Sequence, residues 1–555
     1  MLKVNKFRKG GFLMELKALL FDTRSIQKYI FSSSRLKTQI GASYLVDRVF
    51  DDVLLPVICE VCGAAELDDA TWREVASPDW TSMPQKARVA YIGGGNAMIL
   101  LRADAGEAAA EIVRRFSKEL LVRCPGLQTG AAIGTVDLAS DGSWLSETAN
   151  RTALVLKLKE QQNTAFPRTT IPYTGLTLAA DGADETATSY DTSRERYIAE
   201  SEAAKLRVAT PRHEGGELQP ARAEKALLEK LTSVLTDEEK SRFMENAVFP
   251  SELDKLGQKE TENYIAVVHI DGNNMGKKFA DLTTLSAYKN KSQEIRTATI
   301  RAFAELVLSM KEDSFPFLAQ RKDGEKRRYL PVRPLILGGD DMTFVCAAKV
   351  AFDCTAFIMK SLLAKGVDTC AGVAILPTAY PFFRGYEIAE QLCDSAKGRM
   401  RKLANEREGL REEASCWLDF LRLHGEQAPT LDEIRRQEYR AALGSLHFGP
   451  YRIDGESHYA FARLRELAEG LSKSLPSGKL KDLRAVLQHG EHEAKKYLEQ
   501  IRHDGYALPQ PAGWEAYAAH LWQEHGGRMR TPFVEAIELL EFLPPKSAHD
   551  GKEAS

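Results

Sequence analysis

The stretch Leu335-Ile-Leu-Gly-Gly-Asp-Asp-Met-Thr-Phe-Val345 decides how this chain is read. A short apolar run, Leu335 to Leu337, stops at Gly338-Gly339 and resumes from Met342 to Val345, with Asp340 and Asp341 at the turn. The glycines supply the backbone freedom of a tight turn and the flanks are β-formers, so the pattern predicts a β-hairpin. Two adjacent carboxylates at a hairpin tip, beside backbone that can approach a phosphate closely, are what a two-metal nucleotidyl-transfer site uses. Gly and Asp are also common in solvated turns, so the stretch by itself leaves both readings open.

Working outward, residues 264–270 alternate as a strand that ends on Asp271-Gly272-Asn273-Asn274. A helix over 293–310, the hairpin, a helix over 350–363 and a strand over 369–376 follow. The N-terminal third repeats this order. A strand ends at Asp22, a helix over 36–55 stops before Pro56, and a hairpin within 87–101 turns at Gly93-Gly94-Gly95-Asn96. A helix over 106–121 and a strand over 129–136 complete the copy. The spacings agree: Asp22 to Gly93 is 71 residues and Asp271 to Gly338 is 67; Gly93 to Thr129 is 36 and Gly338 to Cys370 is 32.

This is an internal duplication at domain scale, and sheets with helices packed on one face make the expected class α+β. Pairing the hairpin with the preceding strand would bring Asp271 next to Asp340 and Asp341, a trio able to hold two Mg²⁺ ions. Aligned on Gly-Gly, Asp340 and Asp341 correspond to Gly95 and Asn96. The first copy keeps Asp22 without the hairpin acids and is expected to hold no catalytic metal.

Composition sets the bounds. The chain has 555 residues, 44 % hydrophobic and 28 % charged, and its length predicts roughly three or four domains. A net charge of −3 gives no global basic field for nucleic acid. Eight cysteines are too sparse for a disulfide framework and fit a cytoplasmic compartment. No apolar run approaches the roughly 18 residues of a membrane span. Cys59-Glu-Val-Cys62 is half a zinc site with no second pair at ligand spacing, so zinc is not expected. Residues 1–13 hold a purine-codable Arg8-Lys9-Gly10-Gly11 and are expected to be leader sequence ahead of a start at Met14. The cluster 321–328 is the most basic patch, either a solvated loop or a contact for RNA or nucleotide phosphate. Beyond residue 402 the periodicity is helical, with Leu480, Leu483 and Leu487 on one face and Gly490 as a cap.

Taken as a set, Phe21-Asp22, Ile26-Gln27, Ile30-Phe31, Asp271-Gly272, Met275-Gly276, Gly338-Gly339-Asp340-Asp341, Ala371-Gly372-Val373-Ala374 and Ser395-Ala396-Lys397 resemble a known family. It is the large, polymerase-like subunit of type III CRISPR effector complexes, which carries two palm domains. Gly449-Pro450-Tyr451 and Leu475-Pro-Ser-Gly-Lys-Leu-Lys481 match it more weakly. The resemblance runs from Met14 and implies two ferredoxin-like palms: a degenerate one over 14–170 and a catalytic one over 263–402. A helical linker over 171–262 and a helical domain over 403–555 complete the implied order.

It further implies that the second palm converts ATP into cyclic oligoadenylates, an antiviral second messenger. Guide-RNA complex subunits and RNA would be its partners and activators, and Mg²⁺ or Mn²⁺ its metal. Asp271 and Asp340 would be metal ligands with Asp341 beside them. Gly272, Gly338 and Gly339 would let ATP approach the backbone, and Lys397 would meet a triphosphate. The sequence departs from the family at Asn273, where a second acid is common, which implies a weaker hold on one metal. The histidine-aspartate nuclease domain of many members has no counterpart before the first palm, so no DNA cleavage is expected. Two other readings stand beside the cyclic oligoadenylate synthetase. One is a non-catalytic scaffold of a CRISPR ribonucleoprotein; the other is a standalone cyclic-nucleotide synthase of different base preference, such as a diguanylate cyclase.

Overall fold

The computed structural model describes residues 14–162, 169–214, 216–243, 247–256, 263–310, 328–406, 415–424, 430–525 and 527–543. The expected leader 1–13 and residues 321–327 of the basic patch lie outside the described residues. The chain divides into two compact units: Met1–Thr236 with Asn274–Arg301 and Leu335–Asp340, and Asp237–Asn273 with Ala302–Pro334 and Asp341–Ser555.

The first unit is built on a five-stranded sheet, in the order Leu67–Asp68, Ala87–Gly93, Asn96–Leu101, Met14–Arg24, Gln128–Leu138. Its central strand carries Leu16, Ala18, Leu19, Leu20 and Phe21, all at most 1 % exposed, which explains why that run reads as continuously apolar rather than alternating. The helix Ala108–Arg123 lays Ile112, Phe116 and Leu120 against this sheet at helical spacing. Phe116 meets Phe21 edge-on at 5.1 Å between ring centroids. Truncating such a fully buried ring costs about 3–5 kcal/mol.

The helix predicted to end before Pro56 does not end there. Leu36–Val49 passes through a π-helical turn, Phe50–Leu54, into the helix Leu55–Cys62. Pro56 sits in the first turn of that last helix, where its missing N–H costs nothing.

The second sheet has six strands, in the order Val332–Gly338, Asp341–Ala347, Tyr264–Gly272, Thr369–Pro377, Trp417–Arg422, Tyr451–Arg452. Its first four strands repeat the order of the hairpin, central strand and last strand in the first sheet. Trp417–Arg422 then adds in parallel to Thr369–Pro377, so the sheet continues past residue 402, where helix alone was expected. The strand is short and almost wholly buried, and a short apolar run does not distinguish strand from helix by periodicity. Helices do follow, at Phe461–Ser474, Ser477–His489, Glu491–His503 and Phe533–Leu540. Gly490, at φ +106°, separates the middle two.

Residues between the sheets are mixed rather than purely helical: the hairpin Ala187–Asp191/Arg196–Ala199 precedes the helices Glu200–Ala209 and Arg222–Thr232. Among the described residues, no helix is long and apolar enough to cross a membrane.

Candidate active site

The central strand of the second sheet, Tyr264–Gly272, is apolar and fully buried from Ile265 to Val268, then turns polar at His269 and Asp271. These two residues share one face of the strand because side chains alternate. Across the sheet, His269 pairs with Thr343 and Ile270 with Met342, so the register continued by one residue sets Asp271 opposite Asp341. The His269 Nδ1 lies 3.1 Å from Thr343 Oγ1 and 3.4 Å from Asp341 Oδ1. Burial pushes the imidazole pKa down to about 4; the nearby Asp271 carboxylate opposes the shift without cancelling it. His269 is therefore neutral at physiological pH.

One helix face completes the site. Phe382–Glu406 packs directly on the strand Thr369–Pro377 because residue 372 is glycine. A Cβ there would come within 1.9 Å of Ala389 O and 2.6 Å of Cys393 N. This close approach brings Tyr386, Glu390, Asp394 and Lys397, on one side of the helix, to the acids. The Lys397 ammonium donates to Asp271 Oδ2. Burial opposes the Lys397 charge, but Asp271 outweighs it and holds the ammonium pKa above its ordinary value. The Tyr386 ring stands edge-on to His269 at 5.7 Å. Burial, then the Asp341 and Glu390 carboxylates, raise the Tyr386 hydroxyl pKa well above its usual range. Burial followed by Asp394, Glu387 and Asp271 also raises Glu390.

The predicted hairpin is present. Gly338 ends one strand, Gly339 and Asp340 form the turn, and Asp341 begins the next strand. Gly339 adopts φ +59°, a value that favours glycine. Its carbonyl accepts a 2.7 Å hydrogen bond from Thr299 Oγ1, which pins the turn. A Cβ on Gly338 would meet nothing within 4 Å, so the backbone there is open. Gly272 is buried as the last residue of its strand.

The structure thus joins Asp271 to Lys397 and Asp341 to His269. His269, Thr343 and Tyr386 were missed from the sequence. His269 lies two residues before Asp271, on the same strand face, and that spacing is the signal that could have found it.

Asn273 is not placed as a spare ligand position. It is 1 % exposed; its Nδ2 donates to Ser415 O at 3.2 Å and its backbone N to Asp368 O at 2.9 Å. An aspartate could not donate the first of these bonds, so the amide has a structural reason to be there.

The first sheet shows the same geometry with different chemistry. Asp22 pairs with Asn96, and Leu20 pairs with Met98 where the second sheet has His269 and Thr343. Gly94 and Gly95 form its turn at φ +59° and +76°. A Cβ on Gly95 would lie 2.7 Å from Ile26 Cδ1, so no side chain fits at the counterpart of Asp340 without displacement. Burial raises the Asp22 pKa, while Arg24 and Arg151 pull it back.

Among the described residues, one trio of His, Cys, Asp or Glu side chains brings its ligand atoms within 4.8 Å of one another, and it is Asp419, His447 and Glu535 rather than the hairpin acids. Its donors already use the oxygens a cation would need. Glu535 accepts from Phe448 N at 2.9 Å, Gly449 N at 3.1 Å, His447 Nδ1 at 2.7 Å and the Tyr451 hydroxyl. Asp419 accepts from Arg435 at 2.6 Å and Phe420 N at 3.0 Å. The trio is a closed network that fixes the 447–451 turn.

The fold and these residues define a mixed α/β chain with two sheets of common topology, one carrying a polar cluster. No protein-family model matches the sequence, and no curated protein matches it. Its structural neighbours are Csm1 chains of type III-A CRISPR-Csm complexes. A crystal structure of the Csm1-Csm4 cassette in complex with AMPPNP is similar at 14 % identity and TM-score 0.46, over 92 % of this chain and 65 % of that one. Csm1 of T. onnurineus is similar at 14 % identity and TM-score 0.46, over 96 % of this chain and 70 % of its own. The cassette in complex with cA4 gives 13 % identity, TM-score 0.45, and coverage of 88 % and 63 %. The chain therefore spans less than two thirds of the length of the first of these neighbours.

Proposed function

We propose that the second sheet is the palm of a nucleotidyltransferase that condenses ATP into cyclic oligoadenylate, and that the chain works as the polymerase-like subunit of an RNA-guided effector complex. The observation that carries this reading is that Asp271 and Asp341 stand on neighbouring strands one residue past the pair Ile270 and Met342, with Lys397 bonded to Asp271, against Asn96 and an apolar pair at the matching places in the first sheet.

The donor set fits a hard divalent cation. Asp271 and Asp341 offer carboxylate oxygens, and their side chains are 29 % and 27 % exposed, reachable without unfolding. Asp271, Asp341 and the neighbouring Asp340 would hold Mg²⁺ or Mn²⁺, which supplies charge neutralisation on the phosphates and activation of the attacking hydroxyl. The chain's own groups position the reactants. Open backbone at Gly338 and the glycine turn at Gly339 admit a triphosphate, and the Lys397 ammonium offers it a point charge. Neutral His269 pairs with Thr343 and stands 3.4 Å from Asp341 without neutralising it, and the Tyr386 ring packs edge-on against the imidazole. Because phosphoryl transfer needs alignment more than covalent help, these roles suffice.

The bond from Lys397 to Asp271 also favours a second reading, a scaffold in which the acids are structural. Incubating the purified protein with ATP or GTP and Mg²⁺, with and without guide and target RNA, and resolving products by mass spectrometry separates the two. Cyclic adenylates that vanish in the Asp340→Ala/Asp341→Ala double variant support the enzyme. No product under any condition supports the scaffold, and cyclic di-GMP from GTP would mark the third class.

A further inference from the structure

A cavity of about 250 Å³ lies wholly within the first unit and uses none of the acids described above. Four elements converge on it. The helix Leu36–Val49 and the π-helical turn after it contribute Arg48, and the C-terminal end of Ala108–Arg123 contributes Arg123. The helix Glu200–Ala209 contributes Arg207, and the segment after it brings Arg212 and Arg222. The floor is apolar, made by Leu45, Val49, Val53 and Val208. Five arginines and one carboxylate, Asp52, thus line an otherwise largely apolar pocket.

The charge state of each group matters. Asp52 is already committed: it accepts from Tyr44 at 2.9 Å and from Arg48 at 2.9 Å. Arg123 pairs with Glu119 at 3.0 Å, and Arg207 pairs with Glu200. These side chains are 40–53 % exposed, so their surface ion pairs hold them only weakly and leave them able to turn inward. Arg212 donates to Arg207 O at 3.0 Å, and neither it nor Arg222 has a carboxylate partner among the described residues. Arg222 is also the first residue of the helix Arg222–Thr232, whose N-cap, Ala221, makes no side-chain hydrogen bond to the free N–H groups.

We propose that this cavity binds a nucleotide through its phosphate, either free or at the 5′ end of a strand. Planar guanidinium forks match phosphate oxygens in a bidentate way, and the apolar floor with the Tyr44 ring gives the base a dry surface. A cavity near the low end of the small-ligand range accommodates one nucleotide rather than a length of duplex. The site is independent of the proposed catalysis, since it shares no residue with it.

The test is fluorescence anisotropy in EDTA with 5′-phosphorylated hexaadenylate labelled at its 3′ end, using AMP and adenosine as competitors. AMP or the phosphorylated strand is expected to bind at least about tenfold more tightly than adenosine or the 5′-hydroxyl strand. The Arg212→Glu/Arg222→Glu variant, with an unchanged melting curve, is expected to lose about tenfold or more in affinity, and Arg222→Lys to lose less. Removing both arginines should lower the slope of log affinity against log salt by about two. Full displacement by AMP identifies a free nucleotide as sufficient, and displacement only by phosphorylated strand identifies a strand end; either supports the site. Binding of the 5′-hydroxyl strand as tight as that of the phosphorylated strand, or wild-type affinity in the double-Glu variant, overturns it. The same titration on Asp340→Ala/Asp341→Ala protein should be unchanged, which separates this site from the catalytic proposal.

Discussion

The two sheets share strand order and register but differ in the side chains around Asp22 and Asp271. In the first, Asp22 stands opposite Asn96, with the buried pair Leu20 and Met98 behind it. In the second, Asp271 stands toward Asp341, with the buried pair His269 and Thr343 behind it. The helices after the last strands differ in the same sense: Arg151–Gln162 buries Leu154 and Leu158, whereas Phe382–Glu406 presents Tyr386, Glu390 and Lys397. Burying a histidine and a threonine costs stability unless they are hydrogen-bonded to each other or to a site. A sheet that needs only to pack uses leucine and methionine there. The comparison locates the proposed chemistry more firmly than the hairpin motif does by itself.

The largest effect should come from the acids. Asp341→Asn is expected to lower cyclic adenylate formation by about 10³-fold or more, while Asp22→Asn changes it by less than about twofold; initial rates by chromatography check this. Lys397→Met should cost about 10- to 100-fold in kcat/KM, with partial recovery in Lys397→Arg, which keeps the charge but not the point geometry.

Writing the pair of the first sheet into the second, as His269→Leu/Thr343→Met, should lower activity about tenfold without lowering the Tm. A fall in Tm together with activity would show that the polar pair serves packing. At the turns, Gly95→Asp should destabilise by about 1–2 kcal/mol in urea titrations, because φ is +76° and Ile26 is in the way. Asp340→Gly should cost less than about 1 kcal/mol.

The smallest effect concerns Lys205, buried against the Tyr29 carbonyl and ring, whose pKa burial lowers from 10.5 to about 8. Above pH 8 the folded protein has released a proton that the unfolded chain still holds until about pH 10.5. Stability should therefore rise with pH across that window, by about 1 kcal/mol per unit, and the slope should vanish in Lys205→Met.

The duplication was legible in the sequence because Gly-Gly turns and apolar strand lengths leave periodic marks. Register followed from those marks: the alignment of Gly95 and Asn96 with Asp340 and Asp341 is the one the strands adopt. Three features were not legible. The π-helical turn at Phe50–Leu54 hides a proline that begins a helix rather than stopping one. The strand Trp417–Arg422 is too short for its period to separate it from helix. His269 and Tyr386 act through neighbours distant in sequence, brought together where Gly372 lets the helix approach the sheet. Lys397 was read as a phosphate anchor from its place after the last strand, yet its bond to Asp271 could not be seen from spacing.

Mn²⁺ binding followed by electron paramagnetic resonance tests the central claim most directly, because it needs neither activator nor partner. The account predicts that Asp271→Asn and Asp341→Asn each weaken binding by at least about tenfold, while Asp22→Asn and Asn96→Ala leave it unchanged. Equal loss from substitutions in the two sheets, or wild-type binding in both second-sheet variants, would contradict it.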